Sequence, residues 1–173
     1  MSRIDLGSAA VVPSSQTRGV VPDLITNMDS GSATAGKAAL LLAGKGLGYL
    51  VPTAKQKKNL VVAFAKRDMI VYGKAFDVVR LSESVNLDSL EEVEANLTKI
   101  LVCEIKSTKK DVAADFRGYF FGLTAAEVLV AQSLKAQFRF IFVNTVSGAH
   151  LELQLNEIFA KARGIYPTWS ISF

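Results

Sequence analysis

The chain has 173 residues and a formal net charge of +4, and half of its residues are hydrophobic. That is enough for one domain with an apolar core that needs no disulfide or structural metal. Its single cysteine, Cys103, excludes an intrachain disulfide framework, and no apolar run reaches the roughly 18 residues a membrane span requires.

The N-terminus has no apolar stretch leading to a small-residue cleavage site, so the expectation is a reducing, intracellular, cytoplasmic setting. A sequence pI near 9.2 favours an anionic partner without identifying it. The basic residues cluster: Lys55, Lys57, Lys58, Lys66 and Arg67 form one group, and Lys106, Lys109 and Lys110 a second. A solvated basic surface is the plain alternative to a binding face.

Residues 1–33 are rich in Ser, Gly, Pro and Thr without sustained periodicity, which predicts a loosely structured arm ahead of a single domain over 34–173. From Thr34 to Tyr49, Ala38, Leu41, Leu42 and Lys45 make a helical stripe that Gly46 and Gly48 can end, followed by a turn into Tyr49-Leu50-Val51. Asn59 to Ile70 fits helix and strand alike. Phe76 to Leu81 and Ile100 to Lys106 read as two strands, separated by a polar insert from Ser82 to Lys99 with room for a short helix at Leu87 to Leu97.

Thr124-Ala125-Ala126-Glu127 is a capping box, predicting a helix from Ala125 to about Lys135. Phe138 to Val143 is aromatic and β-branched, a buried strand. Leu151, Leu155, Ile158, Phe159 and Ala162 recur at helical spacing, Gly164 supplies a stop, and Trp169 to Phe173 suits a closing strand. The order of elements points to an α/β fold, a mixed central sheet flanked by helices.

The chemistry concentrates in the strand Ile100 to Lys106. A two-residue period puts Glu104 and Lys106 on one face and Leu101, Cys103 and Ile105 on the other. Burying such a pair gains little stability, which marks it as a candidate site, although an isolated E-x-K is more often a solvated ion pair. Asp77 opens the preceding strand 27 positions earlier, so a hairpin would bring the two carboxylates to adjacent strand ends. Two carboxylates and a strand-end carbonyl, that of Ile105, form a hard oxygen donor set suited to Mg²⁺.

An Asp opening one strand, in AFDVV, and E-x-K in the next, in ILVCEIKST, resembles the PD-(D/E)XK nuclease superfamily. The stretch FFGLTAAEVLVAQSL…FRFIFVNTV is similar to the Mrr and restriction-type modules, and the resemblance covers roughly Thr34 to Val146. It implies a restriction endonuclease-like αβββαβ core and Mg²⁺-dependent DNA cleavage, with Mn²⁺ as a substitute. By the same resemblance Asp77, Glu104 and the Ile105 carbonyl hold the metal, and Lys106 positions or helps to deprotonate the attacking water. Lys109, Lys110 and Arg117, with Lys57 and Lys58, are the expected DNA contacts.

Two departures stand out. Phe76 occupies the place of the family's proline, and Thr34 to Tyr49 carries none of the glutamate that many members place on the first helix. A restriction, homing or mobile-element endonuclease, a Holliday-junction resolvase, an inactive nucleic-acid-binding module and an α/β interaction domain all remain open. A single site nicks one strand per binding event, so a homodimer or a partner subunit is expected for a double-strand cut.

Other signals carry less. Gly31 to Lys37 spells G-x-x-x-x-G-K, but Ala38 replaces the hydroxyl of a P-loop. His150 is the only histidine, which leaves zinc or triad chemistry without partners. Cys103 is expected to be a buried, inert thiol, and Phe116, Tyr119, Phe120 and Phe121 to pack in the core rather than to stack on bases.

Overall fold

The structure is a computed structural model that describes the backbone of residues 24–166 and the side chains of residues 34–166. Its longest strand, β3 (Ile100–Thr108), lies at the centre of a five-stranded sheet. The others are β1 (Tyr49–Leu50), β2 (Val78–Leu81), β4 (Phe138–Asn144) and β5 (His150–Leu153), in the spatial order β1-β2-β3-β4-β5. β1, β2 and β3 form an antiparallel meander, β3 and β4 run parallel, and β5 returns antiparallel to β4. A parallel pair requires a crossover, and α4 (Ala125–Leu134) provides it. The result is an α/β fold with a mixed sheet flanked by helices.

Alternation along β3 divides the core. Ile100 and Val102 join a cluster with Leu60 and Phe64 of α2 (Ala54–Ala65), Val93 of α3 (Leu90–Ala95), Val130 and Leu134 of α4, and Ile158 of α5 (Leu155–Lys161). Cys103 and Ile105 face the other way, against Ala38, Ala39 and Leu42 of α1 (Leu24–Ala43). Glu104 and Lys106 therefore share their face with the larger cluster, at the end of β3 that lies beyond its apolar half.

Several elements differ from expectation. α1 starts at Leu24 rather than near Thr34, so the helix takes in ten residues assigned to the arm. The Ala38/Leu42 stripe nucleates the turn, and extending an existing helix through Ser, Gly and Thr costs little per residue. The G-x-x-x-x-G-K segment lies inside this helix, and no loop is present there to cradle a phosphate. Asn59 to Ile70, open on sequence, belongs largely to α2, which is stabilised by a Thr53–Gln56 capping box.

Leu151 to Ala162 divides into β5 and α5 rather than forming one helix. His150-Leu151-Glu152-Leu153 also alternates, and pairing with the free edge of β4 satisfies its backbone. The expected strand Trp169 to Phe173 lies outside the described residues. Gly48 (φ +82°) makes the turn into β1 possible: a Cβ there would collide with the Leu81 carbonyl oxygen, while the Gly48 carbonyl accepts from the Leu81 N–H at 2.9 Å. Among the described residues no helix is long and apolar enough to cross a membrane.

Candidate active site

The β2–β3 register determines the site. Val78 lies opposite Cys103, so Asp77, one residue before β2, comes beside Glu104. The Asp77 N–H donates to the Cys103 carbonyl at 3.0 Å, and its Oδ2 accepts from the Ile105 N–H at 3.0 Å. This second bond continues the ladder by one rung with a side chain in place of a strand, and leaves Oδ1 with no hydrogen bond among the described residues. In an extended strand the N–H and C=O of one residue leave on the same side. The Ile105 carbonyl therefore points to the side where Asp77 stands and β2 has not yet begun.

The approach to Asp77 is braced by α2. Lys57 Nζ donates to the carbonyls of Phe76 at 2.6 Å and Gly73 at 3.1 Å, and lies 4.6 Å from the centre of the Phe76 ring. Phe76 is 1% exposed and anchors this turn in the core. Lys57, expected at the DNA, thus has its ammonium directed inward to two carbonyls. Lys58, Lys109, Lys110 and Arg117 are exposed and form no ion pair among the described residues.

Glu104 is 8% exposed, and Lys106 Nζ reaches its Oε1 at 3.1 Å. The same ammonium donates to Glu127 Oε2 at 2.8 Å. Glu127 is the third residue of α4, and its Oε2 also accepts from the Thr124 N–H at 3.0 Å in the expected capping box. Burial pushes the Glu104 carboxyl up to about 8; the Lys106 ammonium opposes this rise, while the charges of Asp77 and Glu127 and a hydrogen bond with Glu127 add to it. The cluster holds more negative charge than Lys106 alone neutralises.

Asp77, Glu104, Ile105 and Lys106, chosen on sequence, thus meet at one end of the β2–β3 pair. Glu127 was not counted among them. Its signal was the capping box itself: α4 follows β3 in a parallel crossover, which returns the helix N-terminus to the carboxyl end of that strand. Among the described residues, no group of three or more His, Cys, Asp or Glu side chains is arranged to hold a metal. Two carboxylates and one carbonyl make up the donor set here, and Glu127 is held by Lys106.

The remaining candidates fall elsewhere. Cys103 is 1% exposed under α1, and burial pushes its thiol up to about 12. Phe116, Tyr119 and Phe121 pack around Phe142, and the Tyr119 hydroxyl donates to the Ser107 carbonyl at 2.7 Å; Phe120 is exposed. His150 Nδ1 lies 3.3 Å from Lys45 Nζ, and burial and that lysine lower its pKa. A concavity of about 750 Å³ lined by Gly48, Leu50, Arg80 and Glu83 lies at the far end of β2 and includes none of the Asp77 cluster. No protein-family model, curated protein or solved structure matches this chain.

Proposed function

We propose that this chain is a Mg²⁺-dependent DNA endonuclease of the PD-(D/E)XK type, built on a restriction endonuclease-like αβββαβ core. The observation that carries this reading is the convergence of Asp77, Glu104 and Lys106, with Asp77 bonded to the Ile105 N–H at 3.0 Å. A structural ion pair accounts for Glu104 and Lys106 but not for a third charged group beside them with an unused oxygen.

The donor set fits a divalent cation. Asp77 Oδ1, Glu104 and the Ile105 carbonyl are hard oxygen donors; burial is the main cause of the upward push on the Glu104 carboxyl, and the charges of Asp77 and Glu127 add to it, a cost that a bound cation would offset. When bound, Mg²⁺ would neutralise charge on the attacked phosphate and favour ionisation of water, and Mn²⁺ offers the same coordination. Asp77 holds its carboxylate still through its bond to the β3 backbone. Lys106, largely buried and bonded to Glu104 and Glu127, keeps a third N–H that would be available to an attacking water or a phosphate oxygen. Lys58, Lys109, Lys110 and Arg117 supply exposed charge for the DNA backbone, which fixes register without reading sequence.

Hydrolysis of this kind leaves a 5′-phosphate and a 3′-hydroxyl, and cutting both strands calls for a second copy or a partner subunit. The test is incubation of purified protein with supercoiled plasmid and with a four-way junction, in Mg²⁺ or EDTA, beside Glu104→Ala. Mg²⁺-dependent cutting that the variant lacks supports the endonuclease, and preference for the junction selects a resolvase. Salt-sensitive binding without cutting moves an inactive binding module ahead.

A further inference from the structure

We infer that Glu127 is a positioning residue for Lys106, holding its ammonium in place when Glu104 is drawn to a cation. This rests on the endonuclease reading and extends it to a residue outside the motif. Lys106 has two carboxylate partners, Glu104 on its own strand and Glu127 on α4, and only Glu104 belongs to the donor set. A metal and an ammonium compete for the Glu104 oxygens. Glu127 lies outside the donor set: its Oε2 accepts from Thr124 N–H and from Lys106, and its backbone N–H donates to Thr124 Oγ1 at 3.2 Å.

The carboxylate is thus fixed by the helix cap before it meets Lys106. All three side chains are close to nine-tenths buried, with relative exposures of 12% for Lys106, 11% for Glu104 and 9% for Glu127. An ammonium so placed, between a strand and a helix N-terminus, has few other positions to adopt. Loss of the Glu127 charge leaves it with one charged partner, the one the metal also uses.

The chain itself supplies a separation of capping from positioning. In α2 a glutamine fills the same role in the box: Thr53 N–H donates to Gln56 Oε1 at 3.0 Å, and Gln56 N–H to Thr53 Oγ1 at 3.2 Å. Glu127→Gln therefore keeps the cap and removes only the charge. Thr124→Ala does the reverse, weakening the cap while leaving the carboxylate.

The experiment measures kcat and KM for plasmid nicking, the melting temperature, and the NMR signal of the Lys106 ammonium in Mg²⁺ without DNA, identified by its absence in Lys106→Met. For Glu127→Gln the expected result is a near wild-type melting temperature, KM within about twofold, kcat lower by roughly 10- to 100-fold, and loss of the slowly exchanging ammonium signal. Thr124→Ala should melt about 2–4 °C lower yet keep its kcat and that signal.

Wild-type kcat in Glu127→Gln, a retained ammonium signal, or activity lost only in step with the folded fraction overturns the inference. A wild-type protein that does not cut removes the endonuclease reading, and the ammonium signal still decides whether Glu127 holds Lys106.

Discussion

Replacing Glu104 with glutamine should make the metal-free protein more stable at alkaline pH while abolishing cleavage. Glu104 is 8% exposed beside Asp77 and Glu127, and its carboxyl is pushed up to about 8 from a usual value of 4.5. The folded state therefore retains a proton that the unfolded state releases between about pH 4.5 and pH 8. Stability contributed by this group is full below the lower value and is lost as pH rises through the window. A rise from 4.5 to about 8 sets an upper bound of about 5 kcal/mol on that loss.

The glutamine of Glu104→Gln reproduces the protonated form: its amide oxygen can accept from Lys106 and its N–H₂ can donate to Glu127. The variant should match wild type near pH 5 and exceed it at pH 9 in EDTA. One-fifth of the bound, about 1 kcal/mol, moves the melting temperature by about 2–4 °C, well within reach of calorimetry. Equal melting temperatures at pH 9, or a variant that is less stable throughout, would refute the account of a carboxylate held at a cost for function.

Three further outcomes follow from the same geometry. Asp77→Asn keeps an oxygen for the Ile105 N–H, so it should fold normally and lose at least about 100-fold in nicking, read by plasmid relaxation beside a melting curve. Single Gln substitutions at Lys109, Lys110 or Arg117 should each lower the salt slope of DNA binding by about 1, whereas Lys57→Met should leave that slope unchanged and lower stability, because Lys57 bonds the carbonyls that lead into Asp77. Cys103 should resist thiol reagents in the folded protein and react only on denaturation, since burial pushes its thiol up to about 12.

Much of this arrangement was legible in the sequence because it is local. The period of β3 placed Glu104 and Lys106 on one face and Cys103 on the other, and the Thr124–Glu127 box fixed the start of α4. The parts that were not legible depend on partners distant in sequence. Lys57 reads as surface charge until the Phe76 and Gly73 carbonyls, 19 and 16 positions away, come within its reach. Glu127 reads as a cap until the crossover returns α4 to Lys106, 21 positions earlier.

His150 to Leu153 fits a helix or a strand, and only the open edge of β4 decides between them. The missing acid on the first helix changes as well. With α1 starting at Leu24, Asp29 falls within it, where a first helix beginning at Thr34 had none.

The most direct test of the central claim is strand cleavage of supercoiled plasmid in Mg²⁺ by wild type and by Glu104→Gln, with both proteins shown to be folded and the ends of the product mapped. The account predicts nicked DNA with 5′-phosphate ends from wild type, none in EDTA and none from the variant. Equal cutting by the two proteins, or none by a folded, DNA-binding wild type over a range of Mg²⁺ and Mn²⁺ concentrations, would contradict it.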